Sequence, residues 1–235
     1  MVRLLVIVEG QTEENFVNRV LAPHLYNQGF LAVSAKLMGN ARKRNRRGGI
    51  RGWPGVREEI IRHINTDKNM YVSTMVDYYA LPGGDNNPKA WPGRFQARLL
   101  NFEDKARYIE SELQQDIATY SPKSLNAERF IPYIVMHEFE GLLFSDCKEF
   151  ARSINREDLA TTFQNIRDGY SSPEEINDSP QTHPSKRIKT LMPEYQKPTD
   201  GRRAAIAIGL ETFRRECPGF RCWLERIEAI IAGNK

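Results

Sequence analysis

The stretch Leu4-Leu5-Val6-Ile7-Val8-Glu9-Gly10-Gln11-Thr12-Glu13-Glu14 decides the fold, because an apolar run passes directly into a carboxylate, a glycine and the start of a helix. The run from Val2 to Val8 is short, apolar and rich in β-branched side chains, the composition of a strand covered on both faces in a parallel sheet. Thr12 offers a hydroxyl as N-cap, and Phe16, Val17, Val20, Leu21 and Leu25 then recur at helical spacing. Glu9 is thereby placed at the carboxyl end of a strand, where open α/β sheets bind their ligands. The plainer reading of the same residues is that Glu9 and Glu13 are solvated acids, favoured by the positive end of a helix dipole.

Outward from this stretch the pattern repeats. Leu31 to Met38 reads as a second strand, Val56 to Ile64 as a helix, and Asn69 to Asp77 as a strand that again ends in an acid. The proline- and glycine-rich stretch from Leu81 to Gly93 cannot be regular. Phe95 to Tyr120 is predicted helical, with Leu99, Phe102, Ala106 and Ile109 on its apolar face, and Arg129 to Met136 is a further strand running into His137-Glu138-Phe139-Glu140. Strands alternating with helices imply right-handed crossovers and a parallel sheet, so that successive strand ends lie on one side. Glu9, Asp77 and Glu138 are then expected to converge. The fold class is α/β, a central mainly parallel sheet flanked by helices, with a helical C-terminal region. Residues 1–145 are expected to form the α/β metal-binding domain and 146–235 a helical extension packed on it. The extension holds a polar break from Asp168 to Pro184 and ends in helices from about Gly201 to Arg215 and Phe220 to Ala232.

A chain of 235 residues with 40% hydrophobic content suits one large domain or a domain with an added lobe. No apolar run approaches the length of a bilayer span, and the N-terminus enters a strand without a leader, so a soluble cytoplasmic protein away from membranes is expected. Cys147, Cys217 and Cys222 are too few for a disulfide framework or a four-ligand zinc site. The net charge of +4 is unevenly spread. Arg42, Lys43, Arg44, Arg46, Arg47 and Arg51 fall in a glycine-containing segment without acids, which reads either as a phosphate-seeking arm or as a solvated surface loop.

An acid cluster needs a compensating cation, and hard oxygen donors select magnesium, manganese or calcium. Magnesium commonly pairs one or two protein carboxylates with substrate phosphates, which points to phosphate chemistry. Glu13 is a candidate ligand for a second metal, provided that the turn at Gly10 brings it toward Glu9. Glu138 and Glu140 share a face if the strand continues through them and diverge if a helix begins at His137. Glu138 is placed slightly ahead of Glu140. His137 is read either as a general base and donor to the scissile phosphate or as a hydrogen-bonded structural residue. Lys186 and Arg187, with Ser185, stand at a helix start suited to holding phosphate, or to ordinary capping. Tyr78 and Tyr79 suit core packing, or stacking on a base.

Val8-Glu9-Gly10-Gln11-Thr12-Glu13-Glu14 resembles the opening motif of TOPRIM domains, especially those of the overcoming-lysogenization-defect nucleases, in which a glutamate after the first strand is linked to metal. Asp77 matches the first acid of the later Asp-x-Asp motif, whereas Tyr79 stands where the second acid belongs. Together with Met136 to Asp146 and Pro184-Ser185-Lys186-Arg187, the chain is similar over nearly its whole length to the bacterial family called domain of unknown function 4276. The resemblance implies a TOPRIM-like fold and a nearby-encoded ATPase partner of the kind found in phage-defence islands. The Tyr79 departure leaves Glu138 or Glu140 to supply the missing oxygen.

The expected function is a nuclease dependent on magnesium or manganese that hydrolyses phosphodiester bonds of DNA or RNA in concert with such an ATPase. Glu9, Asp77 and Glu138 are the expected metal-holding and catalytic acids, with His137 beside them. The rival is a non-catalytic module of the same fold that binds nucleic acid or nucleotide and signals to the ATPase, a reading that Tyr79 favours. A small-molecule phosphotransfer enzyme would not need so extended a cationic surface. Self-association is compatible with any of these readings.

Overall fold

The computed structural model describes residues 1–38, 49–121, 126–176 and 182–233. Its sheet contains β1 (Arg3–Val8), β2 (Ala32–Leu37), β3 (Met70–Asp77), β4 (Phe130–Ile131) and β5 (Ile134–Val135) in the order β2-β1-β3-β4, with β5 also on β3. Every pairing is parallel, and Val8 lies opposite both Leu37 on one side and Met75 on the other. The chain thus leaves β1 in one direction to form β2 and returns to its other side for β3. The crevice at the carboxyl ends of β1 and β3 is therefore the switch point, the place where such sheets take ligands.

Alternating side chains divide the core between the two sheet faces. On one face Ile7, Val72 and Val76 pack on α3 (Trp53–Thr66) and α4 (Phe102–Tyr120) through Val56, Ile60, Ile109 and Leu113. On the other, Leu4, Val6, Val8 and Met75 meet Phe16 of α1 (Gln11–Phe16) and Leu25 of α2 (Ala22–Gln28), which a π-helical turn joins. This second core runs across residue 145, taking in Phe150 of α6 (Cys147–Ser153), Phe163 of α7 (Ala160–Arg167), Phe213 of α10 (Leu210–Glu216) and Trp223 of α11 (Pro218–Ala232). The short α5 (Phe139–Leu142), α8 (Pro184–Leu191) and α9 (Arg202–Ile208) complete the helices described.

Trp223 fastens α11 to the sheet. Its ring stacks on Tyr133 at 4.6 Å and its indole N–H donates to Ser73 Oγ at 2.9 Å, while that hydroxyl donates to the Ile131 carbonyl at 2.6 Å. Trp223→Ala is expected to destabilise the protein by about 3–5 kcal/mol, the range for emptying a buried aromatic site. A denaturant titration reads the loss, and a cost below about 1 kcal/mol would show that the helix does not depend on this contact.

Several local expectations are corrected. The first helix is capped by Gly10, not Thr12: the Glu13 carboxylate accepts the Gly10 N–H at 2.9 Å, so the helix starts earlier and Thr12 is buried inside it. The helix expected from Phe95 is two pieces, a 3-10 turn over Gln96–Leu99 and then α4, because Leu100 and Asn101 are extended; Leu99 consequently points outward and is 82% exposed. Pro132, which lacks an N–H, splits the expected strand into β4 and β5. Gly209, at φ +79°, breaks the expected helix from Gly201 to Arg215 into α9 and α10. Cys147 and Cys217 are buried, Cys222 is exposed, and all three are free. Among the described residues no helix is long and apolar enough to cross a membrane.

Candidate functional site

Glu9 and Asp77 follow directly from paired strands and do meet at one edge of the crevice: the Asp77 backbone N–H supports the Glu9 carboxylate. Asp77 Oδ1 in turn accepts the Phe139 N–H at 3.0 Å, so the acid ending β3 holds the start of α5. Glu13 joins from α1. Gly10 is extended, at φ −138°, a conformation open to any residue; its missing side chain matters because a Cβ there would stand 3.0 Å from Glu13 Oε2. The glycine therefore makes room for Glu13 instead of supplying a special turn.

Glu138 and Glu140 enter from the junction of β5 and α5. A helix begins at Phe139, yet the two acids do not part, because Lys197 binds both: its Nζ is 3.5 Å from Glu138 Oε1 and 2.9 Å from Glu140 Oε2. Glu138 is also gripped by the N-terminus of α8. Ser185 donates its N–H at 2.9 Å and its hydroxyl at 3.1 Å, and His183 Nδ1 lies 3.1 Å away. The helix start that the sequence offered to phosphate thus holds a carboxylate of the chain itself. Lys186 is exposed on α8, whereas Arg187 is turned to the Thr182 carbonyl and the Tyr170 hydroxyl.

The electrostatics follow from burial. Burial raises the Glu9 carboxyl despite the Asp77 N–H and Lys197, and raises Glu13 to about 7, with Glu140 and Glu9 adding repulsion. Asp77 stands well above the usual carboxylate range, first from burial and then from Glu13, Glu9 and Glu140. Glu140, 1% exposed, is likewise raised by burial, against the pull of Lys197. Glu138 goes the other way: burial opposes its charge, but Lys197, Ser185 and His183 outweigh that cost and lower it. Lys197 stays charged, since Glu140, Glu138 and Asp77 more than offset its burial.

Lys197 was invisible to pattern reading. It sits in Gln196-Lys197-Pro198-Thr199-Asp200-Gly201 with no motif around it, and reaches the acids only because its turn docks against α1, where a Cβ on Gly201 would stand 3.1 Å from Thr12 Cγ2. The cation that an acid cluster demands is supplied in part by the chain. Among the described residues no group of three or more His, Cys, Asp or Glu side chains is arranged to hold a metal ion, and Lys197 draws Glu138 and Glu140 toward itself. The donors are nonetheless of the right kind for a hard divalent cation, all carboxylate oxygens, and Glu9 Oε2 and Glu140 Oε1 are buried without a hydrogen-bond partner.

His137 adopts φ +64°, a left-handed backbone that costs a non-glycine residue roughly 1–3 kcal/mol. Its ring, 2% exposed, is packed beside Tyr79 and Phe102 with centroids at 5.1 and 5.7 Å. Tyr78 is buried and Tyr79 half-buried next to it. Arg51 is tied to Glu59 at 2.9 Å, a carboxylate it shares with Lys36. Arg42, Lys43, Arg44, Arg46 and Arg47 lie outside the described residues.

Fold and site together define a doubly wound α/β protein with an acid-and-lysine centre at the switch point of its parallel sheet. Over residues 8–228 the chain matches the model of the family described as domain of unknown function (DUF4276), and it belongs to that family. Among solved structures it is similar to the C-terminal region of the Burkholderia pseudomallei OLD protein, with 16% identity and a TM-score of 0.48 over 97% of this chain and 98% of that one. It is also similar to the C-terminal region of the Xanthomonas campestris pv. campestris OLD protein, with 14% identity and a TM-score of 0.47 over 100% and 98%. No curated protein matches.

Proposed function

We propose that this protein is a nuclease that hydrolyses phosphodiester bonds of DNA or RNA with the help of magnesium or manganese. The observation that carries the reading is the set of raised carboxyls gathered at the crevice, Glu9, Glu13, Asp77 and Glu140, of which Glu9 and Glu140 each have a buried oxygen without a hydrogen-bond partner. Glu9, Glu13 and Asp77 would hold the cation, with Glu140 and Glu138 contributing from the far side. When bound, the cation would polarise the phosphoryl oxygen and favour attack by water. Lys197 orients Glu138 and Glu140 and favours their charged forms, prevailing over burial at Glu138 but not at Glu140, and the α8 N-terminus fixes Glu138. His137, 2% exposed and packed against Tyr79 and Phe102, is better suited to a structural role than to that of general base. An ATPase partner and a role in phage defence remain part of the reading through the family resemblance.

The test is cleavage of single- and double-stranded DNA and RNA by the purified chain with magnesium or manganese, alone and with its ATPase and nucleotide. A chain inert under all of these conditions would favour the second reading, a nucleic-acid-binding partner of the ATPase, which the Lys197 ion pairs and Tyr79 support. The segment from Arg42 to Arg47 is assigned nonspecific backbone affinity under either reading. Replacing Arg44, Arg46 and Arg47 by alanine should flatten the dependence of log affinity on log salt by roughly one unit per lost phosphate contact. An unchanged slope returns these residues to a solvating role.

A further inference from the structure

Directly beside the acid centre lies a cavity of about 520 Å³ whose charged lining is entirely basic. Its walls follow from the same two strand exits, since Tyr78 and Tyr79 continue from Asp77, and His137 precedes Glu138. Arg94, Arg98 and Lys105 supply the charged part of the lining. Arg94 is fixed in place, with its guanidinium 3.9 Å over the Tyr78 ring, Nε donating to the Tyr78 carbonyl at 3.1 Å and Nη1 to the Tyr78 hydroxyl at 3.2 Å. Arg98 lies over the Phe95 ring at 3.5 Å.

Among the described residues none of these three cations forms an ion pair with a carboxylate. Asp104, the acid next to Lys105 in the chain, pairs with Arg107 instead. A pocket that gathers unmatched positive charge and aromatic surface, a residue away from Asp77 and Glu138, has the complementarity of an anion attached to a flat apolar ring.

We infer that this cavity is a nucleotide subsite, in which Arg94, Arg98 and Lys105 bind the phosphate of a nucleotide unit and the Tyr79 ring takes its base. The inference rests on the nucleic-acid reading above and deepens it: the unit seated here belongs to the strand whose neighbouring phosphodiester lies over Glu9 and Asp77. Cations on one side of the crevice and acids on the other give the strand a single register, since its phosphate is attracted to the first and needs a bridging cation at the second. Base stacking on an aromatic platform tolerates any sequence, so the subsite positions the strand without selecting its bases.

Binding is measured with metal chelated, on the full chain, using 5′-AMP, adenosine, inorganic phosphate and a short single-stranded oligonucleotide as probes. The expected result is that 5′-AMP and the oligonucleotide bind, adenosine and phosphate each bind at least about tenfold more weakly than 5′-AMP, and Arg98→Gln with Lys105→Gln lowers affinity for both phosphorylated probes about tenfold or more. Tyr79→Leu should erase the advantage of 5′-AMP over phosphate, while Tyr79→Phe keeps it. An unchanged melting temperature shows that each variant is folded; should Tyr79→Leu fail this control, the paired charge variants alone decide. Absence of 5′-AMP binding, affinity unchanged by the charge variants, or phosphate binding as tightly as 5′-AMP would overturn the subsite. The two proposals fail separately. Nucleotide binding here without cleavage under any condition removes the nuclease and keeps the subsite, whereas cleavage with KM unchanged in the charge variants removes the subsite and keeps the nuclease.

Discussion

Glu9→Gln is expected to abolish cation-dependent cleavage while leaving the fold in place. Glutamine preserves the shape of the side chain but removes the charge that would anchor a cation at the end of β1, where one Glu9 oxygen is buried with no partner. A cation that activates water and polarises phosphate is worth several kcal/mol of barrier, so the rate should fall on the order of a hundredfold to a thousandfold. Asp77→Asn should behave alike. Neither variant should unfold the protein, because each removes one member of a mutually repelling set. A second readout is independent of catalysis: manganese should raise the melting temperature of the native chain and raise that of Glu9→Gln much less. Cleavage that survives the substitution places the active centre elsewhere.

The second large effect concerns pH. Glu13, with an ordinary value of 4.5 and a folded value of about 7, binds its proton more tightly in the folded chain. Its contribution to stability is therefore fully present below about pH 4.5 and is lost as pH rises through about 7. A tenfold difference in proton affinity between the folded and unfolded chain corresponds to about 1.36 kcal/mol, so Glu13 alone removes about 3 kcal/mol across that window. Glu9, Asp77 and Glu140 act with the same sign. Glu138, lowered from 4.5, acts oppositely, and only at pH below its ordinary value. The metal-free protein should thus be less stable at about pH 8 than at about pH 5, and a divalent cation should restore stability mainly at the higher pH. Glu110, buried near Ile134 and also raised to about 7, contributes a parallel loss away from the site. Glu13→Gln isolates the cluster: it should flatten the pH dependence by about 3 kcal/mol, and an unaltered profile would show that the acids are not mutually strained.

The architecture of the sheet was legible because it follows from short-range chemistry. The runs ending at Val8 and Asp77 are rich in apolar and β-branched residues, as strands buried on both faces must be, and with the half-exposed edge strand ending at Leu37 they form the parallel core β2-β1-β3. An acid directly after β1 and another at the last residue of β3 had to arrive at the same edge once the strands were parallel neighbours. The errors fell where a single side chain outvoted a pattern: Glu13 reached back to cap the helix that Thr12 was expected to start, Pro132 withheld an N–H in mid-strand, and extended backbone at Leu100 and Asn101 turned Leu99 outward.

By itself, the sequence determined where the strands of the parallel core run and that Glu9 and Asp77 stand at their carboxyl ends, since each of these depends on neighbours a few residues away, whereas the approach of Glu13 hung on the geometry at Gly10. Only the tertiary structure decided how that negative charge is balanced. Lys197 lies 57 positions from Glu140, and Ser185 lies 47 from Glu138. Such partners are chosen by the packing of the C-terminal helices on α1 and α5, through contacts such as Gly201 against Thr12, and nothing local to either residue encodes the meeting. The same holds for the basic cavity, whose cations come from the α4 region and whose aromatic wall comes from the ends of β3 and β5. Electrostatic pairing acts through space, so it becomes readable only after the chain has been brought together.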